Sequence, residues 1–260
     1  MTAERLALIQ QIVRRQSSVS VAELARLCNT SEVTIRRDLT QLEQEGIVTR
    51  VRGGAILADL APEFLASRFE EHRAVNYPQK KAIGEAAAGL IKPGDTILVD
   101  AGSTTLELVR HLAGRCGLTV ITTSIRIAEE LEQVTGVNTI LTGGTLRSRT
   151  TSLVNPMLEQ SLASVIASKA FLGMSGVSTE HGFTTGDFAE ADVKRQLIAH
   201  AREIIVLADN SKLGRVSPAF VAKLDQVHLL VTDEGAARED VQNLESHGLK
   251  VLIAKVNQPR

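Results

Sequence analysis

Apolar residues recur every three to four positions in three short segments at the start of the chain, which is the spacing of one buried helical face. These segments are 4–13, 21–28 and 35–42. Ser20 precedes the second segment, and Thr30 or Ser31 precedes the third, at positions where hydroxyl side chains cap helices. Gly46 then supplies a stop. Two short helices so close together predict a helix-turn-helix.

The residues that follow change to a strand-like pattern. Ile47–Arg52 is rich in β-branched and basic residues, and Gly53-Gly54 can turn the chain back into Ala55-Ile56. This pattern predicts a small hairpin or wing. Residues 1–56 are therefore expected to form a winged helix-turn-helix domain.

Helical and strand patterns alternate from residue 78 to the end. The preceding residues, 57–77, contain Pro62 and a charged run, which predicts a partly helical linker. The alternation over 78–260 predicts an α/β domain with a mostly parallel sheet covered on both faces. The predicted helices are 80–91, 106–112, 125–131, 155–165, 188–201 and 238–247, and the predicted strands are 96–100, 118–122, 138–141, 169–173, 203–208, 226–232 and 249–253.

Composition narrows the functional classes. The chain has 29 Lys and Arg against 30 Asp and Glu, a formal net charge of −1, so contact with DNA must come from a local patch. Cys28 and Cys116 lie far apart without the spacing of zinc ligands, so neither a metal site nor a disulfide is expected. No cofactor is predicted. The absence of a signal-like leader and of an apolar run of about 18 residues predicts a cytoplasmic protein.

The third predicted helix carries basic and hydroxyl residues on one side. If Ile35 faces the core, a step of about 100° per residue turns the positions around Arg36 and Arg37 outward. Arginine binds guanine edges or DNA phosphates, and threonine binds phosphates or thymine methyl groups. The other interpretation is that Arg36 and Arg37 are solvated and pair with Asp38 or Glu43. With the helix start and the wing included, the predicted DNA-binding residues are Ser31, Val33, Thr34, Arg36, Arg37, Thr40, Arg50, Arg52 and Gly53.

Polar residues follow several of the predicted strands. Ligands of open parallel sheets bind at the carboxyl ends of the strands, where these residues are expected to lie. The loop Asp100–Thr105 leads into a helix, and N–H groups at a helix start attract phosphate. The alternatives are a tight connection for this loop and a surface ion pair for Glu190 and Lys194. The predicted ligand-binding residues are Asp100, Gly102, Ser103, Thr104, Thr105, Thr123, Gly143, Gly144, Arg147, Asp187, Glu190, Lys194 and Lys212.

Several motifs resemble those of DeoR-family repressors. Ser-Glu-Val-Thr-Ile-Arg-Arg-Asp-Leu at 31–39, followed by Leu42-Glu43 and Arg52-Gly53-Gly54-Ala55, resembles the DNA-binding signature of the family. The region from Lys80 to near Thr232 resembles its C-terminal sensor domain. The motifs that carry this second resemblance are Ile83-Gly84, Gly94-Asp95-Thr96, Asp100-Ala101-Gly102-Ser103-Thr104-Thr105, Gly143-Gly144, Ala170-Phe171-Leu172-Gly173 and Ala208-Asp209-Asn210-Ser211-Lys212.

The resemblance implies a sensor fold similar to ribose-5-phosphate isomerases and CoA-transferase-like proteins. It implies a repressor of a carbohydrate-utilisation operon that binds double-stranded operator DNA and responds to a phosphorylated sugar or polyol. Arg36 and Arg37 would face the operator, whereas Asp38 would fix helix or wing geometry. The implied sensor roles are phosphate binding for Ser103, Thr104 and Thr105, positive charge for Lys194 and Lys212, and contacts with sugar hydroxyls for Asp100, Asp187 and Glu190.

Two positions stand apart from this pattern. Asn155 occupies a place where the family commonly has glycine, which puts the class of effector in doubt. His181 is expected in a loop near the presumed site, and a lone loop histidine without metal-ligand spacing is more often solvated.

A homo-oligomer is expected, because two or more subunits would place their recognition helices on repeated half-sites.

Two other functions stay open. A sugar-phosphate isomerase-like enzyme is one, because a carboxylate, a lysine and a phosphate loop can transfer protons. The fused DNA-reading unit and the lack of a complete nucleophile and base arrangement favour a protein that is not an enzyme. The second of these other functions is that of a binding module whose second domain only mediates oligomerisation.

Overall fold

The computed structural model describes residues 2–16, 18–51, 54–57, 73–147, 150–154 and 157–256. Contacts divide the chain into two compact units, Met1–Arg68 and Phe69–Arg260. Arg52, Gly53 and Asn155, which the sequence singles out, lie outside the described residues.

The first unit is a winged helix-turn-helix. Its described elements are α1 (Thr2–Gln16), β1 (Ser18–Ser20), α2 (Val21–Leu27), α3 (Glu32–Gln44), β2 (Val48–Val51) and β3 (Gly54–Leu57). The strands form an antiparallel sheet in the order β1-β3-β2. Ile9, Leu24 and Ile35 contribute side chains that are fully buried in its core. The three predicted helices and the hairpin are therefore present, and β1 is an added strand that the sequence pattern did not predict.

Local hydrogen bonds fix the starts of the two central helices. The Ser20 hydroxyl accepts a bond of 3.1 Å from the backbone N–H of Glu23, at the start of α2. Of the two residues predicted to cap α3, Ser31 is the one that does so, and its hydroxyl accepts a 3.2 Å bond from the N–H of Thr34. Such bonds satisfy N–H groups that have no partner inside the helix.

The second unit is built around a parallel sheet. Its described helices are α4 (Tyr77–Ala88), α5 (Ser103–Val109), α6 (Ile125–Glu132), α7 (Leu158–Leu162), α8 (Phe188–Ala199) and α9 (Arg238–Ser246). Its described strands are β4 (Thr96–Val99), β5 (Leu118–Thr122), β6 (Val137–Leu141), β7 (Thr145–Arg147), β8 (Ser152–Val154), β9 (Ala167–Gly173), β10 (Gly176–Ser178), β11 (Gly182–Thr185), β12 (Ala201–Leu207), β13 (Ala219–Ala222), β14 (Leu229–Asp233) and β15 (Val251–Ala254).

Within the described residues, seven of these strands form one sheet in the order β15-β14-β12-β9-β4-β5-β6. Every neighbouring pair in it is parallel. Successive residues of a strand point to opposite faces, so Ile97 and Val99 pack with α4, α5 and α6, whereas Leu98 packs with α7, α8 and α9. The predicted α/β class, with a mostly parallel sheet covered on both faces, is confirmed.

Some element boundaries differ from the predictions. Helix α5 begins at Ser103 and not at Leu106, so Ser103, Thr104 and Thr105 form its first turn. Helix α4 begins at Tyr77, because Pro78 suits the first turn of a helix, where its missing N–H would have no partner inside the helix. Helix α7 covers only Leu158–Leu162 of the predicted 155–165. A 3₁₀ turn at Leu224–Gln226 delays strand β14 to Leu229.

The unit also contains five short strands that the sequence pattern did not predict. Strands β10, β11 and β13 form an antiparallel sheet, and β7 pairs with β8 in a hairpin. Each has three or four residues, which is too few to establish an alternating pattern. Gly144 precedes this hairpin with φ +141°, and a side chain there would collide with the carbonyl oxygen of Val154.

Candidate functional sites

Helix α3 presents a basic, solvent-exposed face. Ile35 is fully buried, whereas Arg36 and Arg37 are exposed and the Val33 residue is 60% exposed. Arg36 forms an ion pair of 2.7 Å with Glu32, one turn earlier, and not with Asp38 or Glu43. Arg37 makes no ion pair or hydrogen bond with another residue that the structure describes. The guanidinium group of Arg37 is therefore available to a partner.

The wing strand β2 is attached to α3. The Thr40 hydroxyl donates to the carbonyl of Arg36 at 2.8 Å and accepts a bond of 2.8 Å from the guanidinium of Arg50. The backbone N–H of Arg50 donates to the Glu43 carboxylate at 2.9 Å. The Thr40 hydroxyl is thus hydrogen-bonded within the unit, and it orients the exposed Arg50 beside α3. Ser31 and Thr34 likewise bond each other, with 2.9 Å between their hydroxyl oxygens.

Asp38 lies on the opposite side of α3 from this face. Its buried carboxylate accepts bonds from Arg5 of α1, at 2.6 Å from Nε and 3.1 Å from the terminal nitrogen. The hydrogen bond to Asp38 raises the pKa of Arg5. This pair joins α1 to α3, which agrees with the expected structural role for Asp38.

In the second unit, the order of the parallel sheet reverses between β4 and β9. The chain runs from β4 to β5 and β6 on one side, whereas β9, β12, β14 and β15 lie on the other. Asp100 follows β4, and its N–H donates to the carbonyl of Phe171 at 3.0 Å. The Asp100 carboxylate accepts a 3.2 Å bond from the N–H of Gly173 at the end of β9. Open α/β sheets bind ligands at such a reversal, outside the carboxyl ends of the strands.

A buried ion pair occupies this position. Lys194 of α8 donates to the carboxylate of Asp100, and each side chain is 5% exposed. Helix α8 buries Ala191 and Leu197 three residues before and after Lys194, so helical spacing turns the lysine toward the sheet. The alternative interpretation, a surface ion pair between Glu190 and Lys194, does not apply, because the lysine is buried and reaches Asp100 instead.

Glu190 lies one turn before Lys194 and has no ion-pair partner within 4 Å among the described residues. Its carboxylate is 3.4 Å from the Thr185 hydroxyl. Burial raises the pKa of Glu190, and Asp100 and Asp187 add to the increase, while Lys194 opposes it. Glu190 is thus an acceptor whose hydrogen-bonding capacity is incompletely used.

Asp187 caps α8 and pairs with Arg147. Its carboxylate accepts hydrogen bonds from the N–H groups of Ala189 at 2.9 Å and Glu190 at 3.1 Å. It also accepts hydrogen bonds from both terminal nitrogens of the Arg147 guanidinium. Hydrogen bonding to Arg147 lowers the pKa of Asp187 and raises that of Arg147. With four donors on two oxygens, the Asp187 carboxylate positions its neighbours and has little capacity left for a sugar hydroxyl.

The residues of the Gly102–Thr105 turn have different surroundings. The Thr105 hydroxyl donates inward to the carbonyls of Asp100 at 2.7 Å and Gly102 at 2.9 Å. The hydroxyls of Ser103 and Thr104 make no hydrogen bond with other described residues. Helix α5 has no side-chain cap, because Gly102 occupies the cap position.

The neighbouring strand ends add further polar groups. The hydroxyls of Thr123, after β5, and Thr142, after β6, are buried without a hydrogen-bond partner among the described residues. Gly143 and Gly144 follow Thr142 and lead into β7. Thr142 belongs to this group although it was not among the predicted residues.

Lys212 belongs to a second cluster, at the carboxyl end of β12. Its ammonium nitrogen lies 4.0 Å from a carboxylate oxygen of the buried Asp209. Lys80 of α4 is buried beside them, and burial lowers its pKa while Asp209 opposes the decrease. Lys80 and Asp209 were not predicted as site residues. Helical spacing contained the signal for Lys80, since Ile83, Gly84 and Ala87 continue its buried line.

Other features lie elsewhere in the second unit. A groove of about 790 Å³ runs beside the antiparallel sheet and is lined by His181, Phe220 and His247 among others, but by none of the predicted ligand-binding residues. His181 is exposed next to β11 and lies 3.8 Å from Glu180. The described residues contain no group of three His, Cys, Asp or Glu that could hold a metal ion. No described helix is long and apolar enough to cross a membrane.

Comparisons with known proteins place both units in one family. A family model described as a DeoR-like helix-turn-helix domain matches residues 5–60, and one described as the DeoR C-terminal sensor domain matches residues 75–234. Together with the fold, these matches define a DNA-binding transcription regulator. The chain belongs to the DeoR family.

Curated relatives match almost the whole chain. The transcriptional repressor GlcR of Bacillus subtilis strain 168 is 33% identical and covers 98% of this chain and 97% of its own. The transcriptional regulator GolR of Listeria innocua is 32% identical, covering 97% and 98%, and the regulator GlpR of Haloferax volcanii is 33% identical, covering 96% and 97%. Among solved structures, ribose 5-phosphate isomerase A from Methanocaldococcus jannaschii is 22% identical over 51% of this chain and 52% of its own, with a TM-score of 0.36.

Proposed function

We propose that this protein represses a carbohydrate-utilisation operon and is controlled by a phosphorylated sugar or polyol. Residues 1–56 bind operator DNA, residues 57–77 link the domains, and residues 78–260 sense the effector and form a homo-oligomer. The observation that carries the proposal is the buried Lys194–Asp100 pair at the sheet reversal, in a chain that also exposes Arg36 and Arg37 on α3.

The DNA-binding role is supported by the contrast within α3. Its inner side packs in the core and pairs Asp38 with Arg5, whereas its outer side exposes Arg36, Arg37 and the apolar Val33. Guanidinium groups suit phosphates and guanine edges, and an exposed apolar side chain suits a thymine methyl group. Arg50, held beside α3 by Thr40, and the wing residues Arg52 and Gly53 extend this surface in the proposal.

The proposed effector class is supported by the polar groups at the carboxyl ends of the strands. Lys212 and Lys80 supply positive charge for a phosphate, and the hydroxyls of Ser103 and Thr104 stand at the start of α5 as additional donors. Glu190 offers an acceptor for the hydroxyl groups of a sugar or polyol. The remaining proposed effector residues, which shape or polarise the site, are Asp100, Gly102, Thr105, Thr123, Gly143, Gly144, Arg147, Asp187 and Lys194.

Regulation requires that the effector distinguish two states of the protein. An effector that binds both states equally shifts nothing, so it must change how the oligomer holds its recognition helices on repeated half-sites. Membership of a family of transcription regulators, with the repressor GlcR among the relatives, favours this role over an isomerase-like enzyme.

The DNA-binding part is tested with duplex DNA from upstream of the protein's own operon. We expect tight binding that weakens steeply as salt increases, because bound phosphates release their counterions. Arg37→Ala is expected to lose about 5- to 150-fold in affinity, which corresponds to about 1–3 kcal/mol. Arg202→Ala removes an exposed arginine of β12 and serves as the charge-matched control. Equal, negligible affinity of all three proteins would refute the proposal.

The effector part is tested by thermal unfolding with a panel of sugar and polyol phosphates. A ligand that binds the folded state raises the unfolding temperature. We expect at least one compound to do so, and we expect Lys212→Ala or Thr104→Ala to remove the shift. Lys81→Ala, which removes an exposed lysine next to Lys80, is the matched control. No shift with any compound would favour a second domain that only mediates oligomerisation.

A further inference from the structure

Asn76, the residue immediately before α4, departs from the usual behaviour of a helix cap. Its backbone is left-handed, with φ 55° and ψ 35°, and it is one of three non-glycine residues with positive φ in the described part of the chain. A capping asparagine normally has an extended backbone and accepts a bond from the first turn of its helix. The Asn76 side chain makes no such bond.

The side chain is directed to a distant part of the sequence instead. Its amide nitrogen donates to the carboxylate of Asp209 at 2.9 Å and lies 3.3 Å from the hydroxyl of Ser211. These partners are 133 and 135 residues further along the chain. A departure from local preference that is compensated by long-range bonds is typical of positions with a functional role.

The same carboxylate organises the cationic end of the proposed effector site. Lys212 lies 4.0 Å from Asp209, and Lys80 is close enough for Asp209 and Lys212 to affect its pKa. The backbone N–H of Lys80 donates to the carbonyl of Asn76 at 3.0 Å. Asn76 is therefore connected to this cluster through both its side chain and its backbone.

The segment that begins at Arg73 has a second attachment. Arg73 lies 3.7 Å from the carboxylate of Glu107, which is buried in α5. The first turn of α5 contains Ser103, Thr104 and Thr105. Residues 73–80, which continue the chain from the DNA-binding unit, are thus held by two elements that carry the proposed effector site.

We propose that Asn76 is a positioning residue that couples the effector site to the chain segment leading back to the DNA-binding unit. The inference rests on the proposed function, and the ligand group concerned is a phosphomonoester or another small phosphate. Such an anion attracts Lys212 and Lys80 and so changes the balance of charge around Asp209. Because Asn76 holds Asp209 and Ser211 directly, any displacement of that carboxylate is transmitted to the backbone at the start of α4.

The test uses hydrogen exchange of the full chain with and without inorganic phosphate. In the wild type, we expect phosphate to change exchange at the amides of residues 77 and 79–83 and to raise the unfolding temperature. Asn76→Gly keeps the left-handed backbone but removes both side-chain bonds. We expect this variant to retain the thermal shift while losing most of the exchange response. Asn29→Gly is the matched control, because Asn29 also has a left-handed backbone, with φ 46°, and lies in the other unit.

The outcomes separate this inference from the function on which it rests. No thermal shift in the wild type would count against the phosphate site itself. A shift accompanied by the same exchange response in the wild type and Asn76→Gly would overturn the role of Asn76. If Asn76→Gly does not fold, Ser211→Ala removes the bond from Asn76 together with the bond that the Ser211 hydroxyl donates to Asp209, and it must reduce the response while Asn29→Gly does not.

Discussion

The two units use charged residues in opposite ways. On α3, Arg36 is 56% exposed and its only described ion pair is with Glu32, a neighbour on the same helix. At the sheet reversal, Lys194 and Asp100 are each 5% exposed and come from segments 94 residues apart. Exposed pairs contribute little to folding, whereas buried charges must be paired with good geometry.

This difference matches the two proposed partners. A DNA duplex is a large polyanion, and solvated arginines can exchange water and counterions for its phosphates without disturbing the fold. A small polar ligand needs donors and acceptors that are already oriented, since ordering them on binding would cost affinity. Changes on α3 should therefore affect binding more than stability, whereas changes at Lys194 should affect both.

The largest expected effect is on the buried pair. Lys194→Met leaves the Asp100 carboxylate buried without its counter-charge, and we expect a loss of about 3–5 kcal/mol in the free energy of unfolding, measured by urea denaturation. Adding Asp100→Asn should recover much of the loss. Lys81→Met, at an exposed lysine, should stay within about 0.5 kcal/mol of the wild type. A Lys194→Met variant as stable as this control would contradict the account of the site.

A smaller effect on stability is expected from two carboxylates at the start of α8, Asp187 and Glu190, whose pKa values move in opposite directions. Burial raises the pKa of Glu190 above its ordinary value of 4.5, so the folded state favours the neutral carboxyl group. The stability that this group contributes below pH 4.5 is therefore lost as the pH rises through the folded pKa. Glu190→Gln should therefore lose less stability than the wild type between pH 4.5 and neutrality. Thermal unfolding across this pH range measures the difference, and identical profiles would contradict it.

Asp187 is expected to show the opposite dependence of stability on pH in the same thermal unfolding experiment. Hydrogen bonding to Arg147 lowers its pKa below the ordinary value of 3.8. Its contribution to stability is present above pH 3.8 and is lost as pH falls through the folded pKa. Asp187→Asn should consequently be less stable than the wild type at neutral pH, and the difference should shrink in acid. A constant difference would show that the variant acts by some other means than this titration.

The smallest effect is expected on α3. Glu32→Gln removes the exposed partner of Arg36, which should change the free energy of unfolding by about 0.3–0.5 kcal/mol. The same change frees a guanidinium and removes a negative charge from the exposed face, so affinity for the upstream duplex should rise. Fluorescence anisotropy at constant salt measures this, with Glu159→Gln at an exposed glutamate of α7 as the control. Weaker binding would mean that Glu32 itself contributes to the DNA complex.

The sequence predicted the parts of the fold whose signal is local. Ile35 and its neighbours marked the buried side of α3, and the alternation of patterns predicted the parallel sheet, because helical and strand periodicities are readable from single segments. The three- and four-residue strands were missed because they are too short to show a period. Lys80 was missed although its helical spacing placed it on the buried side of α4.

The candidate site was predictable as a set of residues but not as a set of contacts. Asp100, Asp187, Glu190 and Lys194 were selected because they follow strands or share a helical face, and the structure brings them together. Spacing alone suggested that Lys194 pairs with Glu190. The actual pairing with Asp100 depends on how the strands are ordered in the sheet, which no local pattern specifies.

The most direct test of the central claim is a titration of the full chain against duplex DNA from upstream of its operon, repeated with each compound of the sugar-phosphate panel. The account predicts that at least one compound changes the Kd for DNA, and that Lys212→Ala abolishes this change while retaining DNA binding. If the protein binds the duplex with the same Kd whatever phosphorylated compound is present, effector control is contradicted.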